Sequence, residues 1–274
     1  MPRLLRIIVI SGLLFFTPFS SSIAVASEPE ISASAAILMD RTTGQVYYEK
    51  AANKKRHPAS LTKIMTAILV IETKIGQENV IVSNEAAMIY IGSILNLKTG
   101  DRMTVNDLVK GALWASANDS TVALAIHTAG SHDGFVELMN TKAFLLGLSE
   151  THFVNTNGYS KANHYSTAKD LAQLARYCLK NDYFAKLVSS KQGEIKLVDK
   201  RGKTKVLQLQ NTNRFLEMYP GANGVKTGTT SLAGNCLLAS ATQGDRQLIT
   251  VVLKSGNRYG DSHKLMNYGF AYRK

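Results

Sequence analysis

Residues 58–63 read PASLTK, and an apolar series at helical spacing follows them: Leu61, Ile64, Met65, Ile68 and Leu69. That spacing predicts a helix in which Ser60 and Lys63 lie three residues apart, on one face of the first turn. A serine hydroxyl is a weak nucleophile until a base takes its proton, and a lysine whose ammonium form is disfavoured can be that base. The stretch therefore indicates a Ser-Lys pair for acyl transfer.

The pattern Ser-x-x-Lys is short, and a second copy lies at residues 166–169. Two further triplets give the first copy a context. Ser116-Ala117-Asn118 lies at a polar break between two helical patterns, and Lys226-Thr227-Gly228 leads into predicted strands. These triplets also have second copies, at residues 255–257 and 98–100. Only one combination of the copies has the order Ser-x-x-Lys, Ser-x-Asn, Lys-Thr-Gly, so the three are interpreted together.

Residues 1–26 are interpreted as an export signal. Arg3 and Arg6 provide a basic start, residues 4–19 are mostly apolar, and small residues at 24 and 26 predict cleavage before Ser27. The alternative is an uncleaved membrane anchor, although polar residues and a proline interrupt the run. We expect one catalytic domain over residues 27–274, located in the periplasm or at the extracytoplasmic face of the cell wall.

Lysine and arginine number 32 against 20 acidic residues, for a formal net charge of +12. The basic residues form no block with interleaved aromatics, so nucleic acid is not predicted as a partner. An exported basic protein is expected to meet anionic cell-wall polymers, lipid headgroups or a substrate that carries a carboxylate.

The cysteines and histidines give no sign of a metal site. Cys178 falls on a helical face and Cys236 in an apolar strand, where both are expected to be small buried hydrophobes, with a disulfide as the alternative. His127 and His132 lack the spacing of a zinc pair. His57 precedes a proline, and no Gly-x-Ser-x-Gly elbow surrounds the serine of the first motif, so a Ser-His-Asp triad is disfavoured.

Strand patterns occur near both ends of the chain and helical patterns between them. Strands are predicted at 35–39, 45–49, 80–82, 94–97, 194–198, 204–209, 235–241 and 247–253. Helices are predicted from residue 61, from 104 to the break near 116, from there to 130, and over 134–146, 167–179 and 261–272. The order predicts an α+β fold in which one sheet, built from both chain ends, is flanked by helices, with an inserted helical lobe and a cleft between the lobes.

The ordered triple resembles the D-alanyl-D-alanine carboxypeptidase family of low-molecular-weight penicillin-binding proteins. The likeness covers residues 33–272 and includes residues 165–170, 224–230 and 233–237. It implies a β-lactamase/transpeptidase-like fold with an antiparallel sheet. It also implies removal of the terminal D-alanine from peptidoglycan stem pentapeptides, inhibition by β-lactam antibiotics, no cofactor, no metal and a monomeric enzyme.

On this resemblance, Ser60 is the nucleophile and Lys63 its general base. Ser116 relays a proton to the leaving amine, and Asn118 holds the peptide backbone. The backbone N–H groups of Ser60 and Thr229 form the oxyanion hole.

The same resemblance implies that the third motif binds the free carboxylate of the substrate. Lys226 binds it and disfavours the ammonium form of the general base, while the hydroxyls of Thr227 and Thr229 are further partners. Gly228 lets the substrate approach the strand. Arg258 is a second candidate cation for the carboxylate.

Three alternatives share these residues. A peptidoglycan D,D-endopeptidase has the same triple. A class A β-lactamase needs a Glu-x-x-x-Asn arrangement between the second and third motifs, and none of the glutamates at 137, 150, 194 and 217 has asparagine four residues later. A penicillin-binding protein without turnover is the third. Many family members also have a β-rich domain and an amphipathic anchor, which this sequence lacks, so membrane attachment is left open.

Overall fold

A computed structural model describes residues 27–73 and 78–272. The predicted export signal, residues 1–26, lies outside the described residues. The strands are β1 (Ala35–Asp40), β2 (Val46–Lys50), β3 (Asn79–Ile81), β4 (Arg102–Thr104), β5 (Gln192–Val198), β6 (Thr204–Gln210), β7 (Ala222–Thr230), β8 (Gly234–Gln243) and β9 (Arg246–Ser255). The helices are α1 (Lys63–Glu72), α2 (Asn84–Ala87), α3 (Val105–Leu113), α4 (Asn118–Ala129), α5 (His132–Leu145), α6 (Ala168–Cys178), α7 (Asp182–Ser189), α8 (Phe215–Met218) and α9 (Arg258–Ala271), and a 3₁₀ turn (Ala59–Thr62) precedes α1.

The larger sheet has five antiparallel strands in the order β2-β1-β9-β8-β7. It joins the two ends of the chain, as predicted, because β1 pairs with β9 along its whole length. Helices cover both faces. Ile37 and Met39 of β1 pack into the core on the side of α1, and Ala36 and Leu38 pack into the core on the side of α9. Burial on both faces explains the continuous apolar runs in these strands.

A second sheet of four strands, in the order β3-β4-β5-β6, departs from the single sheet predicted. The predicted hairpin of β5 and β6 is present and joins β4 where Val198 lies opposite Arg102. Residues 94–97 form a loop, so the strand predicted there is not present and that prediction is wrong. Asp119 accepts hydrogen bonds from the backbone N–H groups of Leu95 and Leu97, so these groups are not available to a strand partner.

In the helical lobe, α3 and α6 begin at the capping residues that the sequence predicts. The Thr104 hydroxyl accepts from Asp107 N at 3.1 Å at the start of α3, and the Thr167 hydroxyl accepts from Asp170 N at 3.0 Å at the start of α6. The predicted break between α3 and α4 is present and contains Ser116, whose φ is +60°. Helices α2, α7 and α8 were not predicted.

Both cysteines, Cys178 in α6 and Cys236 in β8, are buried and unpaired, so the alternative of a disulfide is wrong. They are the small buried hydrophobes that the apolar patterns around them predict. Over residues 27–73 and 78–272, every helix is too short or too polar to cross a membrane.

Candidate active site

Ser60 lies in the 3₁₀ turn and Lys63 is the first residue of α1, which brings Lys63 Nζ to 3.0 Å from Ser60 Oγ. The Lys63 side chain is fully buried, and its Nζ also donates to Asn118 Oδ1 at 2.7 Å and to the Asn157 carbonyl at 2.7 Å. The Asn118 amide is oriented by its Nδ2, which donates to the Ile91 carbonyl at 2.7 Å. Two of the three partners can therefore only accept hydrogen bonds.

These partners can be satisfied by the neutral form of Lys63 as well as by the ammonium form, which would donate to all three. A neutral amine has two N–H groups and one lone pair. The two N–H groups can donate to Asn118 and Asn157, which leaves the lone pair directed at the Ser60 hydroxyl. Burial lowers the pKa of Lys63 well below its usual 10.5, and the positive charge of Lys226 lowers it further, while Asp119 acts in the opposite direction. An amine with a lowered pKa therefore lies within hydrogen-bond distance of the Ser60 hydroxyl.

The second motif reaches the site from the break between α3 and α4. Asn118 supplies the contact to Lys63, whereas the hydroxyl of Ser116 forms no hydrogen bond within the described chain. Ser116 is 8% exposed and lies two residues before Asn118. Next to it, the buried Asp119 carboxylate accepts from Leu95 N, Leu97 N and Ser120 N, which fixes the loop before β4 against α4.

The third motif lies directly before the final hairpin of β8 and β9, as predicted, and its segment is itself a strand, β7, at the edge of the five-stranded sheet. Lys226 is 1% exposed, and its Nζ donates to the Thr227 carbonyl at 3.2 Å. Burial and the neighbouring charge of Arg258 lower the pKa of Lys226 from 10.5 to about 7. At neutral pH Lys226 thus carries only part of the positive charge of the site.

Arg258 supplies a permanent charge at the same strand. Its Nη1 donates to the Thr229 hydroxyl at 2.8 Å and to the Gly228 carbonyl at 3.1 Å. The sequence ranked Arg258 behind Lys226 as a partner for a carboxylate. Because the pKa of Lys226 is lowered, Arg258 is the one of these two cations that stays fully charged at neutral pH.

Two glycines allow other segments to pack against the Ser60 turn. A Cβ at Gly228 would lie 2.9 Å from both Ser60 N and Ala59 Cβ, so β7 can approach the turn only because residue 228 has no side chain. On another side, Gly158 has a φ of +89° and touches the backbone of Ala59. Ala59 itself has a φ of +49°, which is rare for a residue with a side chain.

The loop of residues 155–158 is the part of the site that the motifs did not identify. Asn155 Oδ1 accepts from Gly158 N at 2.7 Å, which holds the loop in a tight turn beside the Ser60 turn. The loop contributes the Asn157 carbonyl to Lys63. An Asn-Thr-Asn-Gly run predicts a turn from sequence. A backbone carbonyl carries no signature of its own, so the contact with Lys63 could not be predicted.

The serines in the second copies of the motifs form hydrogen bonds with residues elsewhere in the fold. The Ser166 hydroxyl bonds with that of Thr151 at 2.8 Å, and the Ser255 hydroxyl donates to Asp261 at 2.6 Å. Residues 98–100 form a turn.

The histidines singled out from the sequence are likewise engaged elsewhere: His57 Nδ1 donates to the His164 carbonyl, His127 pairs with Glu78, and His132 pairs with Asp133. Within the described segments, no group of three or more His, Cys, Asp or Glu side chains is arranged to hold a metal ion.

Comparisons with known proteins point to one family. The family model for D-alanyl-D-alanine carboxypeptidase matches residues 22–257. The carboxypeptidase DacF of Bacillus subtilis is 37% identical, over 99% of this chain and 72% of the relative. DacC of Escherichia coli is 38% identical over 89% of this chain, which spans 62% of that relative's length. Among solved structures, a Streptomyces DD-transpeptidase superimposes with a TM-score of 0.86 at 35% identity, covering 90% of this chain and all of that one.

Proposed function

Because the chain belongs to the D-alanyl-D-alanine carboxypeptidase family and is a serine-type hydrolase of that class, we propose that Ser60 carries the acyl group. The observation behind this proposal is the 3.0 Å contact of the buried Lys63 Nζ with Ser60 Oγ: burial favours the neutral amine, and with its two N–H groups donated to Asn118 and Asn157 its lone pair faces the Ser60 hydroxyl. Lys63 takes the hydroxyl proton as Ser60 Oγ bonds to the carbonyl carbon between the two terminal D-alanines.

Collapse of the tetrahedral intermediate breaks the C–N bond of the peptide. The leaving amine of D-alanine takes a proton that originates on Lys63 and passes through the hydroxyl of Ser116, which has no competing partner within the described chain. Asn118 holds the peptide backbone with its amide. Water then hydrolyses the ester on Ser60 and restores the enzyme.

The backbone N–H groups of Ser60 and Thr229 form the oxyanion hole in this proposal. The approach of β7 to the Ser60 turn at Gly228 supports it, because Thr229 is the next residue of that strand. The free carboxylate of the substrate binds to Arg258, Lys226 and the hydroxyls of Thr227 and Thr229. Its negative charge raises the pKa of Lys226 when it binds, so the protonated lysine is regained in the complex.

We propose further that residues 1–26 export the protein, which acts as a monomer on peptidoglycan stem peptides outside the cytoplasm. The basic signal sequence and the net charge of +12 support this location, since the cell wall is anionic.

Intact-mass spectrometry of the purified protein with benzylpenicillin tests the nucleophile. The wild type is expected to gain the mass of one penicillin, and Ser60→Ala none. Release of D-alanine from a peptide ending in D-Ala-D-Ala, measured on the same samples, tests turnover. A wild type that neither acylates nor releases D-alanine would rule out Ser60 as an activated nucleophile and favour a non-catalytic protein. Cleavage of cross-linked peptides without release from the linear peptide would indicate an endopeptidase.

A further inference from the structure

His164 lies outside all three motifs, but it is fully buried beside the Ser60 turn. Its ring packs edge-on against that of Phe153, with 5.8 Å between the ring centroids. Its two ring nitrogens are both engaged, Nδ1 with Val154 N at 3.1 Å and Nε2 with the Thr62 hydroxyl at 2.8 Å. A buried histidine with two defined partners has a fixed ring orientation.

The partners also determine where the protons lie. A backbone N–H can only donate, so Nδ1 of His164 accepts and carries no proton. In the neutral ring the proton is then on Nε2, which donates to Thr62 Oγ1. The Thr62 hydroxyl in turn donates to the Ala59 carbonyl at 2.9 Å, because that carbonyl can only accept. The hydrogen bonds therefore run in one direction, from His164 through Thr62 to Ala59.

Ala59 is the residue whose position decides that of Ser60. It directly precedes Ser60 and has a left-handed φ of +49°, a conformation that needs support from its surroundings. Gly158 contacts its backbone from one side and Gly228 contacts its side chain from another. Contact of this kind excludes other positions but does not by itself orient a carbonyl group. The hydrogen bond from Thr62 provides that orientation.

We propose that His164 is a positioning residue for acylation: through the Thr62 hydroxyl it fixes the Ala59 carbonyl, and thereby the direction in which Ser60 presents its hydroxyl to Lys63 and the substrate. His164 exchanges no proton with the reacting atoms. This role rests on Ser60 being the nucleophile.

The surroundings of His164 keep this arrangement constant. Burial lowers the pKa of His164 from 6.5 to about 3, and the nearby His57, His152 and Lys161 act in the same direction. The ring thus stays neutral wherever the enzyme is expected to work, and its tautomer stays the one that donates to Thr62. The His164 carbonyl also accepts from His57 Nδ1 at 2.9 Å, which ties the ring's own backbone to the segment before Pro58.

The test measures the acylation rate by benzylpenicillin per active site, with the sites counted by intact mass. Thr62→Val keeps the shape of the side chain and removes the hydroxyl, and we expect acylation on the order of 10- to 100-fold slower, since small misplacements of a nucleophile cost about that much. Thr62→Ser keeps the hydroxyl, although its side chain is less restricted, and should stay within about threefold of the wild type. Thr250→Val is the matched control, because Thr250 is fully buried and its hydroxyl has no partner.

Two further readouts separate positioning from a role in folding alone. The pH profile of the acylation rate in Thr62→Val should have the same midpoints as the wild-type profile, and only the maximum rate should be lower. His164→Asn should slow acylation as much as Thr62→Val does, and the double variant should be no slower than the slower single variant, because both act on one carbonyl. If Thr62→Val does not fold, His164→Asn is measured alone against the same expectation.

Acylation of Thr62→Val or His164→Asn at the wild-type rate per active site would overturn the proposal, as would losses that multiply in the double variant. A wild type that is not acylated at Ser60 is a different result, which would overturn the proposed function itself.

Discussion

The α-carbon of Gly158 lies against the carbonyl oxygen of Ala59, and a methyl group at residue 158 would overlap that oxygen. The clash involves two backbones, so no side-chain rotation can relieve it. The Ser60 turn and the loop of residues 155–158 can therefore coexist only with glycine at this position.

Gly158→Ala is expected to reduce both stability and acylation. The left-handed φ of +89° alone costs a residue with a side chain about 1 to 2 kcal/mol, and the overlap with Ala59 adds about 1 to 3 kcal/mol. Gly202→Ala is the matched control, because Gly202 has a φ of +85° and open space around it. Urea unfolding and penicillin acylation are measured for both. Equal losses of stability in the two variants would show that the contact with Ala59 does not matter.

Arg258→Gln is expected to weaken binding of substrates that end in a free carboxylate. A hydrogen bond to a charged group contributes about 1.5 to 3 kcal/mol, so KM should rise by about 10- to 150-fold. The same peptide with a C-terminal amide should be processed equally by both enzymes, because it has no carboxylate to lose. Arg201→Gln, in the exposed turn between β5 and β6, is the control for loss of a surface charge. An equal effect on both peptides would contradict a role in carboxylate binding.

The pH profile of kcat/KM should have two limbs with opposite causes. Lys63 must be neutral to act as a base, so the rate rises with pH through its lowered pKa. Lys226 must be protonated to bind the carboxylate, so the rate falls again as pH rises through about 7, the pKa of Lys226 in the free enzyme. In Lys226→Met the falling limb should disappear. The rising limb should move to higher pH, because the charge that lowers the pKa of Lys63 is gone.

Lys169→Met, which changes the exposed lysine of the second Ser-x-x-Lys copy, should leave both limbs in place. If the rising limb stays where it is in Lys226→Met, the charge of Lys226 does not set the pKa of Lys63.

The same Lys226→Met variant is expected to be more stable than the wild type at pH 7. The pKa of Lys226 is 10.5 when the residue is exposed and about 7 in the fold, so between these values the unfolded state binds more protons. Stability of the wild type therefore rises with pH across this window. The variant lacks that dependence, so its stability relative to the wild type should be highest at pH 7 and about 3 to 4 kcal/mol lower at pH 10. Urea unfolding at several pH values measures it, and a variant less stable at pH 7 would contradict the prediction.

The sequence predicted the parts of the site that depend on side-chain identity. The Ser60 and Lys63 pair, the break that carries Asn118, and the strand region of Lys226 follow from spacing and from helix signals. In the structure Lys63 contacts Ser60 and Asn118, and β7 packs against the Ser60 turn at Gly228. Their roles in the reaction stay predictions. Lys226 lies before the final hairpin, as predicted, but the sequence did not predict that its segment is an edge strand of the sheet.

What could not be predicted depends on backbone groups and on burial. Asn157 contributes a carbonyl that any residue could provide, and the lowered pKa of Lys226 arises from packing that no local pattern describes. The loop at residues 94–97 has the apolar pattern of a strand. It fails to form one because Asp119, more than twenty residues further along the chain, binds its N–H groups.

The pairing of β1 with β9 has a consequence for folding. These neighbours in the sheet are separated by about two hundred residues of sequence, since Ala35 lies opposite Leu253. Contacts of such long range make folding slow, because a large loop must close before they form. During synthesis β1 can pair with β2 early, but it has no partner on its other side until β9 has been made. Ser60 lies near the start of the chain and Lys226 near its end. The active site can therefore assemble only when synthesis of the chain is nearly complete.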